Sequence, residues 1–295
     1  MLRDSYVAML LIGAILFAGV LTAAAQTTSQ PSSRDAVAAE RDRAMQAEAR
    51  KLIERGAQYL LSAQEADGGW GAQAGPGVSA LVLKALIQEP SVGPQHAAVQ
   101  RGIEFVLKSQ RDDGGVYSAE GLLKSYESSA VLSMLGVLKD PAYQKQIAAL
   151  QTFLKNDQWD EGEGKSVDDP WYGGAGYGRG KRPDLSNTQM MLEALRDSGL
   201  PPDDPAYKKA LVFIGRCQML GETNDQPFAK GATQGGFIYS PANGGESKMG
   251  TVDAEGHEEL RCYGSMTYAG FKSLLYAGLK RDDRRVQAAL DWIQI

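Results

Sequence analysis

Histidine and cysteine are almost missing from this sequence: two of each stand among 295 residues. Two cysteines can close one disulfide at most, which excludes a disulfide-built scaffold, and so few soft ligands leave little for a structural metal. Alternating apolar and polar runs are scarce too. Short candidates such as GGFIYS at Gly235 lie inside glycine-rich segments, so an extended sheet is not expected. No excess of positive charge is present. The 31 Lys and Arg against 36 Asp and Glu give a net charge of -5 with the signs interspersed, so nothing draws the chain to nucleic acid. Long hydrophobic runs occur in one place only, the N-terminus.

That N-terminus reads MLRDSYVAMLLIGAILFAGVLTAAAQTT, with Arg3, an apolar run from Val7 to Leu21 and then Ala23-Ala24-Ala25. The run is shorter than the ~20 residues that span a bilayer, and small residues follow it, so residues 1–25 read as a secretory signal peptide cut after Ala25. Export to a periplasm or outside the cell follows, with no membrane attachment after cleavage. Residues 26–34 are a polar, Ser/Thr-rich spacer, expected to be flexible. The working domain is 35–295, 43% hydrophobic residues over the whole chain being ample for a core.

Within it a pattern repeats. LLSAQEADGGWG, Leu60 to Gly71, returns as VLKSQRDDGGVY, Val106 to Tyr117. Counting back from Gln64 gives Leu61, Leu60, Ala57 and Ile53 on one helical face. From Gln110 the same steps give Leu107, Val106, Ile103 and Val99, and Gln218 ends a third such helix. A degenerate copy ends at Asp157, after Leu154, Phe153 and Leu150. After each loop a second, less charged helix follows, beginning near Gly77, Ser125, Leu185 and Tyr263, with Ser79, Ser128, Ser186 and Ser265 placed to cap it. The unit is helix, glycine loop, helix, stacked because no unit can bury its apolar face alone.

A glutamine on an apolar stripe must find partners, and the helix end and the following loop supply both carbonyls and N–H groups. Gln64, Gln110 and Gln218 are therefore structural staples. Asp67 and Asp113 close the turn, the pairs Gly68-Gly69 and Gly114-Gly115 allow positive φ, and Trp70 or Tyr117 folds back as a seal. These residues resemble the QW motif of the squalene-cyclase and protein-prenyltransferase superfamily, over roughly Lys51 to Ile295. The resemblance implies an all-α fold, an (α/α) toroid of outer and inner helices around a central cavity, here with about four and a half repeats because the last outer helix, DDRRVQAALDWIQI, has no partner after it. On such a toroid Cys217 and Cys262 fall at the same rim, where they could form a disulfide.

Chemistry is harder to find. The Asp-x-Asp-Asp acid motif of the cyclases is missing, and the pairs Asp112-Asp113, Asp168-Asp169, Asp203-Asp204 and Asp282-Asp283 read as turn residues. Asp253, His257 and Cys262 do not match the zinc spacing of the prenyltransferases and read as loop, so neither metal nor cofactor is expected. The unusual segment is DDPWYGGAGYGRGKRPDLSNTQ, Asp168 to Gln189. Its Trp171, Tyr172, Tyr177, Arg179 and Asp184, with Tyr126, Arg261 and Tyr263, are the candidates to line a ligand cavity, unless the loop is a rim segment carrying degenerate seals. The resemblance implies a small hydrophobic, isoprenoid-type ligand, bound or converted. A carbohydrate-active toroid (lyase or hydrolase-like) and a non-catalytic scaffold are the alternatives; a groove with Arg179, Lys181 and paired carboxylates would favour carbohydrate, an aromatic chamber without polar pairs the isoprenoid.

Overall fold

The computed structural model describes residues 33–71, 75–178, 180–254 and 256–294. The signal peptide, its cleavage point and residues 26–32 of the spacer lie outside them, while Ser33 and Arg34 already belong to the first helix. The chain divides into two compact units after Leu52. In the first unit the described segment is the beginning of helix α1 (Ser33–Ser62), where Val37, Met45 and Leu52 are exposed. The second unit, Ile53–Ile295, carries everything below.

This unit is mostly helical. After α1 come α2 (Pro76–Gln88), α3 (Ala97–Leu107), α4 (Lys124–Leu138), α5 (Gln144–Asp157), α6 (Leu185–Asp197), α7 (Pro205–Cys217), α8 (Gly264–Tyr276) and α9 (Arg284–Gln294). They form two sets. Helices α2, α4, α6 and α8 pack each on the next in a row, while α3 lies on α2, α5 on α4, α7 between α6 and α8, and α9 on α8. The flanking helices bury one stripe, as Val99, Ile103 and Val106 do in α3; α4, in mid-row, is buried almost continuously from Ser125 to Gly136. At the ends of the row Val78 and Leu81 on α2 and Tyr268 and Leu275 on α8 stay exposed.

The expectation of helices alone is corrected by a hairpin. Strands β1 (Thr251–Ala254) and β2 (His257–Leu260) pair antiparallel, Thr251 opposite Leu260 and Ala254 opposite His257. The Asp253 carboxylate accepts from Gly256 N–H at 2.9 Å and Gly256 takes φ 85°, which closes the turn.

Four loops join the two sets by one rule. The Gln64 amide donates to the Gly68 and Ala98 carbonyls, both at 2.8 Å. Gln158 donates to Gly173 (2.9 Å) and Ala206 (3.1 Å), and Gln218 to Gly235 (2.8 Å) and Arg285 (2.9 Å). Each glutamine thus bonds a loop glycine and the second residue of the next flanking helix. The N–H of that same second residue is held by a capping side chain, His96, Asp204 or Asp283. Gly68, Gly114, Gly173 and Gly235 all have φ between 77° and 96°. A Cβ there would come within 3.0 Å of the Arg101, Ala149, Lys209 or Ala288 carbonyl oxygen, one turn further along that helix. The second glycine lies under an aromatic ring one turn beyond: Gly69 under Phe105, Gly115 under Phe153, Gly174 under Phe213 and Gly236 under Trp292. The next N–H, of Trp70, Val116, Ala175 or Phe237, is received by Ser79, Ser128, Thr188 or Thr267 of the row helix.

Asp67 and Asp113 accept from Gly69 and Gly115 as expected, and Trp70 and Tyr117 are buried. Four expectations change. The third glutamine is Gln158, not the neighbouring Asp157, and it is buried. Gln110 is exposed, and this loop is tied by the Arg111 guanidinium, which donates to the Tyr117 carbonyl (3.0 and 3.1 Å). Ile53, counted on the stripe, is also exposed. In the later loops Thr188 and Thr267, rather than Ser186 and Ser265, hold the loop.

Removing the amide of Gln158 leaves the buried Gly173 carbonyl without a donor and cuts the tie to the Ala206 carbonyl, which keeps its bond within α7. Gln158→Ala should lose about 2–4 kcal/mol of unfolding free energy, and Gln110→Ala less than about 0.5 kcal/mol. Urea denaturation of the two variants checks this; equal losses would refute the assignment.

Candidate functional site

Between the second loop, the end of α5 and the third loop lies a cleft of about 280 Å³. Leu122 and Lys124 stand on one wall with Asp113; α5 contributes Phe153, Asn156 and Asp157; Tyr177 and Lys181 close the other side. The loop rule fixes the walls, since Asp113 is the turn aspartate, Phe153 is the ring over Gly115, and Tyr177 follows Gly173-Gly174.

The carboxylates of the cleft are engaged. Asp113 accepts from Gly115 N–H (3.1 Å) and from the Tyr117 hydroxyl (2.6 Å), and Asp157 accepts from the Ser125 hydroxyl. The ammonium groups stand outside any ion pair among the described residues, but Lys124 is engaged: its Nζ sits 4.7 Å from the Tyr117 ring centre and beside the Tyr117 hydroxyl. Leu122 is 70% exposed. The cleft therefore offers apolar and aromatic faces, accepting oxygens and two unpaired cations.

Tyr177 connects the cleft to a buried cluster. Asp184, 1% exposed, caps α6 by accepting from Asn187 N–H (2.9 Å) and from the Asn187 side-chain amide (2.8 Å). The Tyr239 phenol faces both the Asp184 carboxyl and the Tyr177 phenol. Burial pushes the Asp184 carboxyl above its ordinary range, against the pull of the Asn187 and Tyr239 bonds. Burial and the charge of Asp184 push Tyr239 upward as well, and Tyr263 to about 12. Lys248 Nζ and the Arg182 guanidinium stand 4.6 and 5.5 Å from the Tyr239 ring centre, and both also pair with Glu246.

Of the residues singled out in the sequence, Tyr177, Asp184 and Tyr263 are brought together. Tyr239 was missed, although it follows Gly235-Gly236 at the same distance as Tyr177 follows Gly173-Gly174. Trp171 and Tyr172 belong elsewhere: Trp171 packs edge-on against Trp159 at 4.8 Å with Lys165 over both rings, and Tyr172 donates to Glu161 at 2.8 Å. Tyr126 is half-buried in α4 and does not line the cleft; Arg261 is exposed, its N–H bonded to the Gly250 carbonyl. Arg179 lies outside the described residues.

The paired aspartates serve turns and caps. Asp169 pairs with Lys165, Asp204 caps α7 and pairs with Lys155, and Asp283 caps α9. The disulfide is not formed. Cys217 and Cys262 are free thiols, one packed in the main core and the other in a second cluster with Met219 and Ile238. Burial raises both thiols, so neither is poised as a nucleophile.

A second polar assembly runs along the row of helices. Lys84 of α2 donates to Ser133 of α4 (2.7 Å) and to Glu193 (2.7 Å) and Asp197 (2.8 Å) of α6; Lys272 of α8 reaches Glu193 at 2.8 Å. Burial lowers Lys84, but the bonds from Asp197 and Glu193 outweigh it and the net shift is upward. This network was not read from the sequence, where its residues stand singly in separate helices.

A raised folded-state pKa means that the fold binds the Asp184 proton more tightly than the unfolded chain does. Its stability contribution is complete below the unfolded carboxyl range and is lost as pH rises through the folded value. Asp184→Asn should therefore flatten the loss of melting temperature as pH rises from acid toward neutral, the Asn187 amide flipping so that its unpartnered oxygen accepts from the new amide. Parallel melting curves across pH 4–8 check this; equal slopes for the two proteins would count against a destabilised carboxylate. Compared with known proteins, the chain matches no protein-family model and no curated protein.

Proposed function

We propose that this chain is an exported (α/α) toroid protein of the squalene-cyclase and protein-prenyltransferase kind, and that it binds a small ligand in the cleft between its second and third loops. The observation that carries the family reading is the loop register. Glutamine amide, close-approach glycine, covering aromatic and row-helix hydroxyl recur in fixed order, as stacked helix-pair repeats require. The row α2, α4, α6, α8 with flanking helices on it is the arrangement from which a toroid is built, and the exposed apolar residues at its two ends agree with a ring short of closure.

The location of the ligand follows from what is free to bind. An isoprenoid chamber along the row would need apolar walls, yet Lys84, Glu193, Asp197 and Lys272 lie there already satisfied by one another. The cleft instead combines Phe153, Tyr177 and Leu122 with unpaired lysines and hydrogen-bonding carboxylates. Concave, mixed surfaces with a few convergent polar groups are where ligands orient. That balance supports the carbohydrate-type alternative over a purely hydrophobic ligand.

Mass spectrometry of small molecules retained by the purified full chain tests this. A retained compound that is lost on Tyr177→Ala, with the melting temperature changed by no more than about 3 °C, is the expected result; retention untouched by Tyr177→Ala would remove the cleft from consideration. N-terminal sequencing of the mature protein should begin at Gln26, and a start at Met1 would refute export by a cleaved signal.

A further inference from the structure

We propose that the cleft binds the carboxylate-bearing sugar units of an acidic polysaccharide; this rests on the cleft being the ligand site. The argument is one of matching. A neutral sugar would leave the Lys181 ammonium without a counter-charge, and desolvating a cation without a partner is costly. A purely apolar ligand would in addition cover the polar Asn156 side chain and offer it no hydrogen bond. A phosphate-rich ligand would crowd several negative charges against the same two aspartates.

A uronate unit has one carboxylate per ring and several hydroxyls. The carboxylate suits Lys181, which has no ion pair among the described residues, with Lys124 on the facing wall, held at Tyr117, as a second cation. The hydroxyls suit Asn156 and the carboxylate oxygens, which accept O–H bonds already, from Tyr117 and Ser125. The rings of Phe153 and Tyr177 give an apolar surface for the C–H face of a sugar, and Tyr177 is 37% exposed and so reachable. Its phenol faces that of Tyr239, which faces Asp184 in turn.

The test uses three probes on the full chain in titration calorimetry: an oligogalacturonate, the same oligomer with its carboxylates methyl-esterified, and farnesol. Lys181→Gln and Tyr177→Ala are compared with the parent, with circular dichroism to confirm folding. Oligogalacturonate should bind, weaken about tenfold in Lys181→Gln and fall steeply with added salt, as a charge-assisted contact does; the ester should bind at least tenfold more weakly than the acid. Equal binding of acid and ester overturns the carboxylate claim while leaving the cleft as a sugar site. Farnesol binding that is lost in Tyr177→Ala, with no sugar binding, overturns the ligand class but keeps the site. If no probe binds, or none responds to either substitution, both the ligand class and the site fail.

Discussion

One side-chain amide with two carbonyl partners sets the geometry of the second unit. In Gln64, Gln158 and Gln218 the NH2 group has two hydrogens, and each goes to a different element: one to the loop glycine, one to the start of the next flanking helix. A helix end, a loop and a neighbouring helix are thereby fixed at a single atom. The bond is worth little against water on the surface, but in the buried cases the loop-glycine carbonyl has no substitute donor, while the helix carbonyl keeps its own helical bond and loses the tie.

The rest of the loop follows from that close approach. Bringing the next flanking helix onto the loop leaves no room for a side chain at Gly68, Gly173 or Gly235, and the positive φ needed there suits glycine alone. The aromatic one turn on then covers the second glycine, and the row-helix hydroxyl takes the following N–H. None of these contacts constrains the length of chain between glutamine and glycine pair. In the first two loops that stretch is short; in the third it holds Trp159 to Tyr172, and in the fourth Met219 to Gln234. Variation is thus admitted on one side of each loop while the staple holds, and the third and fourth loops are the ones that supply Tyr177, Asp184 and Tyr239.

Much of this was legible because the staple leaves a covalent trace. Gln64, Asp67, Gly68, Gly69 and Trp70 stand together in sequence, and burial of a polar residue on an apolar stripe demands an explanation. Asp157 was taken for Gln158 because counting apolar positions back along α5 is tolerant by one residue, whereas the distance from Phe153 to Gln158 matches that from Phe105 to Gln110 and Phe213 to Gln218. Gln110 fitted the pattern but not the structure, since Arg111 can reach the same loop and a sequence pattern does not say which of two donors wins. The site was only half legible. Tyr177 and Asp184 drew notice by composition, but their link through Tyr239 depends on a fold that brings the third and fourth loops together, through Leu185 N–H to the Tyr239 carbonyl at 2.8 Å.

Charged residues on the two faces show why residue type alone does not locate a binding site. Lys84 and Lys181 carry the same group at neutral pH. Lys84 has three acceptors within 2.8 Å, drawn from α4 and α6, and its charge is spent on holding the row together. A ligand there would have to break those bonds before making its own. Lys181 is exposed, its backbone carbonyl fixed by the Trp159 indole N–H at 2.9 Å, and its ammonium has no ion pair among the described residues. Its backbone is held while its charge is available, so an anion binding there gains a contact without losing an existing one. The same distinction separates Asp197, committed to Lys84, from Asp113, whose partners are a hydroxyl and an N–H. Saturation by neighbours, rather than charge or burial taken singly, is what assigns the row network to stability and the cleft to recognition.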